Sequence, residues 1–200
     1  MSPVHEPGVL EALEALGGHP FEGTVWRVIW KSRDVLGVGG GGRWNHPGRP
    51  NALYTSVSAD GAVAEIYYHL SRAPVFSSSE KCLYGLSVRC ENTLILDRPE
   101  TLLRVGLTAE KLADDPRATR DLANAAMLMD HDSLLVPSLR WECLNLVLFE
   151  SCIDERRIAV GERHEINWPG WRERHDQEVA RVRREGPRVV QALRELPRNA

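Results

Sequence analysis

The chain has 200 residues, which suits one domain of ordinary size with a buried core of its own. Its 42% hydrophobic and 26% charged residues are those of a soluble globular protein, and no apolar run approaches the ~18 residues of a membrane span. The net charge of −3 argues against a general nucleic-acid binder.

The first residues, Met1-Ser2-Pro3-Val4-His5-Glu6-Pro7, lack the basic and apolar regions of a secretory signal, so a cytoplasmic protein is expected. The four cysteines, Cys82, Cys90, Cys143 and Cys152, form no C-x-x-C and no regular framework, and read as reduced thiols. No set of His, Cys, Asp and Glu has metal-ligand spacing.

In chain order, residues 1–22 form an N-terminal segment with a short helix over Val9 to Leu16. Thr24 to Trp30 alternates as a strand, with Val25, Arg27 and Ile29 on one face. A long loop, Lys31 to Pro50, leads to a short strand over Ala52 to Ser56, and loops of that length are commonly functional. Ser58 suits the N-cap of a helix over Ala59 to Ser71, with Ala62, Val63, Ile66, Tyr67 and Leu70 toward the core and Glu65 and His69 one turn apart on its flank.

Two strands are expected over Cys82 to Val88 and Thr93 to Asp97, then helix over Thr101 to Met129, broken near Pro116. Leu134 to Val136 and Leu144 to Phe149 read as strands flanking Pro137-Ser138. From Ser151 to Trp168 the sequence is polar and aperiodic. Residues 164–200 form a charged helical segment, which from Trp171 holds eight arginines against five acids. Its stripe of Val179, Val182, Val189, Leu193 and Leu196, interrupted at Gly186-Pro187, needs the domain, a second copy or a partner to cover it, which suits docking rather than chemistry.

The chemistry concentrates between residues 37 and 65. A glycine run, Gly39 to Gly42, delivers Arg43, Trp44 and Asn45; Tyr54 follows eleven residues after Arg43, and Glu65 eleven after Tyr54. The run is neither a dinucleotide-binding G-x-G-x-x-G opening a helix nor a P-loop, and alone it is a weak signal. Five basic residues, Arg27, Lys31, Arg33, Arg43 and Arg49, surround it against Asp34 alone.

Arginine supplies a bidentate clamp for pyrophosphate, an aromatic face suits a nicotinamide or adenine ring, and a carboxylate suits a reactive sugar carbon, a set that describes a dinucleotide ligand. Each residue has a plainer reading as well. Arg27 could be a snorkelling strand residue, Tyr54 an ordinary β-former, Glu65 a helix-surface charge and Ser138 turn chemistry. Asn145 within an apolar strand must find partners for its amide.

Taken together, Trp26-Arg27, Gly41-Gly42-Arg43-Trp44-Asn45, Leu53-Tyr54-Thr55-Ser56, Ala64-Glu65 and Val136-Pro137-Ser138 resemble the RES-domain family, over about Thr24 to Phe149. That family is named for arginine, glutamate and serine positions and includes toxins of bacterial toxin–antitoxin pairs. Trp26 stands where relatives often have tyrosine, and after Asn145 the chain runs into Phe149-Glu150-Ser151 instead of the family's Asn-Pro and His-Pro.

The resemblance implies a single α/β domain over residues 23–163, with a central split β-sheet similar to the diphtheria-toxin-like ADP-ribosyltransferases. It further implies cleavage of the nicotinamide–ribose bond of NAD, as phosphorylase or glycohydrolase, with NAD as substrate, inorganic phosphate as co-substrate and no permanent cofactor. Carried onto this chain, it implies Arg43, Glu65 and Tyr54 as catalytic residues, and Arg27, Arg43, Trp44, Asn45, Tyr54, Glu65 and Ser138 as the NAD-binding set.

The expected partners are a cognate antitoxin and a second copy through the C-terminal helix, with no membrane, and nucleic acid only through the antitoxin. Two alternative functions stand beside this one: mono-ADP-ribosylation of a protein, and a non-enzymatic module binding nucleic acid or a partner through the arginine-rich tail.

Overall fold

The computed structural model describes residues 7–38, 41–47, 51–73, 81–151 and 154–196. Gly39, Gly40, Arg49 and Cys152, named above, lie outside the described residues. The chain forms a mixed α/β domain. In order these are α1 (Pro7–Leu16), β1 (His19–Trp30), β2 (Ala52–Ser56), α2 (Ala59–Leu70), β3 (Lys81–Ile95), three short helices α3 (Pro99–Arg104), α4 (Ala109–Asp114) and α5 (Pro116–Leu128), β4 (Ser133–Pro137), β5 (Leu144–Phe149), β6 (Ile158–Glu165), α6 (Trp168–Glu185) and α7 (Arg188–Glu195).

The strands run β1-β2-β5-β4-β3-β6, and a further β1–β3 pairing turns the first five into a ring. Side chains contributed by all five ring strands, including Val25, Leu53, Leu86, Leu135 and Leu146, pack together inside it. Strand alternation sends the intervening residues outward. Leu134, Val136, Val147 and Phe149 accordingly join Leu102, Leu112, Leu122 and Leu193 in the larger core beneath the helices.

The ring is weakest between β1 and β2, which meet only at Trp26 and Ser56. Helix α2 packs on both strands at this parting. Ser58 caps the helix by accepting from the Gly61 amide at 3.3 Å, as its position before an apolar-periodic run predicts. Gly61 is required here, because a Cβ would run into Ser56 Oγ and Cys143 Sγ.

Three local expectations are corrected. The strands expected over Cys82 to Val88 and Thr93 to Asp97 are one long strand, β3, which pairs with β1 along most of its length from Lys81 to Thr93, with β6 over its first half and with β4 at its end. The polar stretch after Ser151 contains β6, an edge strand exposed along nearly its whole length. The helical region after Thr101 divides into three, with Asp115 capping α5 through the Arg117 amide at 2.9 Å. In the tail, Val179, Val182, Val190 and Leu193 are buried against the chain's own domain. Among the described residues no helix is long and apolar enough to cross a membrane.

Candidate functional site

The parting between β1 and β2 opens a cleft of about 510 Å³. Trp26 and Arg27 line it from β1, Tyr54 from β2 and Glu65 from α2, with Arg43 on the connecting loop and Asn145 on β5. Residues far apart in sequence thus meet because two strands diverge under one helix.

Glu65 is held from behind. Ser138 Oγ donates to Glu65 Oε1 at 2.7 Å, and Asn145 Nδ2 donates to the same oxygen at 2.9 Å. Ser138 is fully buried just past β4, where its own amide donates to the Cys143 carbonyl at 2.9 Å and its Oγ accepts from the Arg140 amide at 3.1 Å. Two donors on one oxygen suit a carboxylate, which only accepts, and fix its rotamer. Glu65 Oε2 makes no hydrogen bond to the described residues.

Arg43 is equally constrained. Its Nη1 and Nη2 donate to the Leu112 and Ala113 carbonyls, at 2.6 and 3.0 Å, in the last turn of α4, where unpaired carbonyls and the negative end of the helix dipole favour a cation. Burial and the nearby Arg140 charge lower its pKa, while Glu65 acts the other way. Helix α5 grips the same loop: Thr119 Oγ1 donates to the Arg43 carbonyl at 2.7 Å, and Arg120 Nε to the Gly42 carbonyl at 2.7 Å.

Tyr54 Oη donates to Asn45 Oδ1 at 2.7 Å and accepts from the Trp44 amide at 2.9 Å. Burial pushes its pKa up to about 12. Gly42 lies so close to this ring that a Cβ would collide with the tyrosine hydroxyl, a requirement for glycine at the end of the run.

On the opposite wall, Arg27 Nη2 donates to the Gly37 carbonyl at 2.7 Å, whereas its buried Nη1 has no hydrogen-bond partner among the described residues. Burial lowers the Arg27 pKa to about 10 against the opposing pull of Asp34. Asn145 Oδ1 and Asn45 Nδ2 are likewise buried without partners among the described residues. Such orphaned groups cost stability and in native proteins call for an explanation in function.

Of the residues singled out from sequence, Arg27, Arg43, Tyr54 and Glu65 therefore line one cleft. Trp44 also touches it, but the residue is 4% exposed and belongs to the main core. Asn45 and Ser138 stand one layer behind, holding Tyr54 and Glu65 respectively. Sequence reasoning missed Arg120 and Arg140 and noted His69 only as a flank neighbour of Glu65; all three line the cleft. Arg120 sits on an ordinary amphipathic helix and carries no distinguishing signal; Arg140 could have been suspected from its place two residues after Ser138. The described lining thus carries four arginines against the single carboxylate of Glu65. A strongly positive cleft with one rigid carboxylate suits a pyrophosphate-bearing ligand that develops positive charge at a sugar carbon.

The RES-domain family model matches residues 24–169. The chain belongs to the RES-domain family. The matched stretch contains the second half of β1, all of β2 through β6 and every cleft residue named above, and it ends at the start of α6. The fold is shared with a chain in the crystal structure of the M. tuberculosis MbcT–MbcA toxin–antitoxin complex, with a TM-score of 0.74 and 22% identity, over 84% of this chain and 97% of that one. No curated protein matches the chain. In this RES domain Ser138 and Glu65 are hydrogen-bonded to each other, and Arg27 and Arg43 line the same cleft as Glu65.

Proposed function

We propose that this RES-domain protein cleaves the nicotinamide–ribose bond of NAD, and acts as the toxin of a toxin–antitoxin pair. The observation that carries the reading is the Glu65 carboxylate, fixed through one oxygen by Ser138 and Asn145 and presenting the other beside a cleft of four arginines.

In this reading the arginines hold the pyrophosphate, with Arg43 pre-positioned by its two carbonyl contacts. The Tyr54 ring packs on the nicotinamide, its hydroxyl tied back so that the ring is presented at low entropic cost. When the C1′–N bond breaks, its electron pair moves onto the pyridinium nitrogen and nicotinamide leaves neutral. Glu65 Oε2 faces the positive charge that develops at C1′, as a carboxylate does in glycoside cleavage. An oxygen of inorganic phosphate then bonds to C1′, giving ADP-ribose-1″-phosphate, or a water does so and loses a proton, giving ADP-ribose.

NAD is thus substrate and phosphate co-substrate, with no resident cofactor needed, since the leaving group is already cationic. The toxin assignment and the cognate antitoxin partner are supported by family membership and by a fold neighbour solved as a toxin–antitoxin complex. Such a pair would work on the NAD of the cytoplasm.

The test is to incubate the purified protein with NAD, with and without phosphate, and to identify products by mass spectrometry. ADP-ribose-1″-phosphate indicates phosphorolysis, and ADP-ribose in both arms indicates hydrolysis. A mass increment on an added protein would favour ADP-ribosyl transfer. Intact NAD in every arm refutes the reading.

A further inference from the structure

Beside the cleft lies a larger groove of about 660 Å³, built where the C-terminal ends of α2 and α6 meet α7. Much of it comes from outside the matched RES stretch, which ends at residue 169. Gly186, at φ 83°, takes the backbone into the left-handed region between α6 and α7 and lets α7 turn back along the groove. Glu142 ties this corner to the turn carrying Ser138: it pairs with Arg181 and accepts from the Arg188 amide at 3.0 Å.

The floor is apolar and buried, with Ala64, Tyr67, Val182 and Val190 each at most 8% exposed. The lining carries six arginines against two carboxylates, Asp114 and Glu185. Arg184 pairs with Glu185 at 2.7 Å, but Arg72, Arg140, Arg183 and Arg194 form no ion pair with any described residue. Arg72 and Arg140 both lie over the Tyr68 ring, at 4.5 and 3.5 Å from its centroid.

Groove and cleft are joined: Arg43, Pro116, Leu139 and Arg140 line both. The combined shape is two lobes with an arginine pair at the waist. NAD has the same layout, two nucleoside halves linked by a pyrophosphate. With the reactive ribose against Glu65 in one lobe and the pyrophosphate at Arg43 and Arg140, the second half of the ligand falls in the other lobe. An apolar floor takes a flat base, and arginines along the rim suit its phosphate side.

We propose that the α2–α6–α7 groove is the binding site for the adenosine half of the dinucleotide, so that the C-terminal helices beyond the family domain form part of the substrate site. The proposal rests on the NAD reading and adds the orientation of the ligand and a substrate-binding role for Arg183 and Arg194.

The test is the double substitution R183E/R194E in the full chain, with R183Q/R194Q as a milder form. Both residues are exposed, and with described residues Arg183 makes one hydrogen bond, to Ser71 Oγ at 2.7 Å, besides lying 5.5 Å from the Tyr67 ring centroid, while Arg194 makes one to the Glu185 carbonyl at 3.3 Å, so little of the fold depends on them. Two readouts are needed. The first is AMP affinity by titration calorimetry, which requires no turnover; a fall of at least ~10-fold is expected from losing two charge-assisted contacts. The second is the ratio of kcat/KM for NAD to that for nicotinamide mononucleotide, which lacks the adenosine half, and it should fall by a similar factor. AMP binding unchanged by both double substitutions overturns the proposal, as does an unchanged ratio. If the wild type cleaves no NAD, the functional reading fails, and AMP calorimetry still decides whether the groove binds an adenine nucleotide.

Discussion

Replacing Arg27 with methionine should make the ligand-free protein more stable while weakening its hold on NAD. The Arg27 guanidinium is largely buried, its Nη1 has no partner among the described residues, and its one hydrogen bond with them is Nη2 to the Gly37 carbonyl at 2.7 Å. Burial takes its pKa from 12.5 to about 10, which at 1.36 kcal/mol per pH unit corresponds to about 3 kcal/mol held against the folded state. Removing the guanidinium also removes the bond to Gly37, worth roughly 1.5 kcal/mol when the donor is charged. The net gain is about 1–2 kcal/mol, or about 3–6 °C in Tm for a domain of this length.

The pH dependence follows from the sign of the shift. A group whose folded pKa is depressed withholds stability below that pKa and returns it as pH rises. The advantage of R27M is therefore full at neutral pH and fades as pH climbs through about 10. Thermal melts with and without NAD measure both effects, and the NAD-induced rise in Tm should be smaller in the variant. A ligand-free R27M that melts several degrees below wild type would refute the argument that this charge is uncompensated.

Three further outcomes are expected. Glu65→Gln keeps shape and removes charge, so turnover of NAD should drop at least ~10²-fold with little change in NAD affinity by calorimetry; equal turnover would reduce Glu65 to a binding or structural group. Asn145→Leu removes one donor to Glu65 together with the orphaned Oδ1, and these changes nearly cancel in stability. Its Tm should therefore stay within a few degrees of wild type while kcat falls roughly 10-fold or more, and a Tm loss in proportion to lost activity would make the residue structural. Tyr54→Phe should destabilise the protein at neutral pH by about 1–3 kcal/mol, since Asn45 and the Trp44 amide lose their partner. Because the raised Tyr54 pKa means stability is lost as pH rises through about 12, denaturation profiles of this variant should decline less between pH 10 and 12 than those of wild type.

Local pattern alone determined much of this protein. Alternation marked β1, short apolar runs marked β2, β4 and β5, the position before an apolar-periodic run marked Ser58 as a cap, and three chemically apt residues at eleven-residue spacing pointed to the cleft. These signals are readable because side-chain period and capping depend on near neighbours.

What only the tertiary structure decided depends on partners distant in the chain. Glu91 and Asn92 look like a turn between strands, yet β3 runs straight through them, because the Asp132 carboxylate accepts both their amides at 2.7 and 3.1 Å. Strand β6 has no alternating face to read, and exists because β3 offers it an edge to pair with. Ser138 could have been turn chemistry until the fold brought α2 to the turn after β4 and placed Glu65 on its hydroxyl, 73 residues away in sequence. Arg120 and Arg140 join the cleft for the same reason. Charge, ring and carboxylate are local properties of the chain, but which of them share one space depends on the closure of a ring of strands whose contacts no sequence window contains.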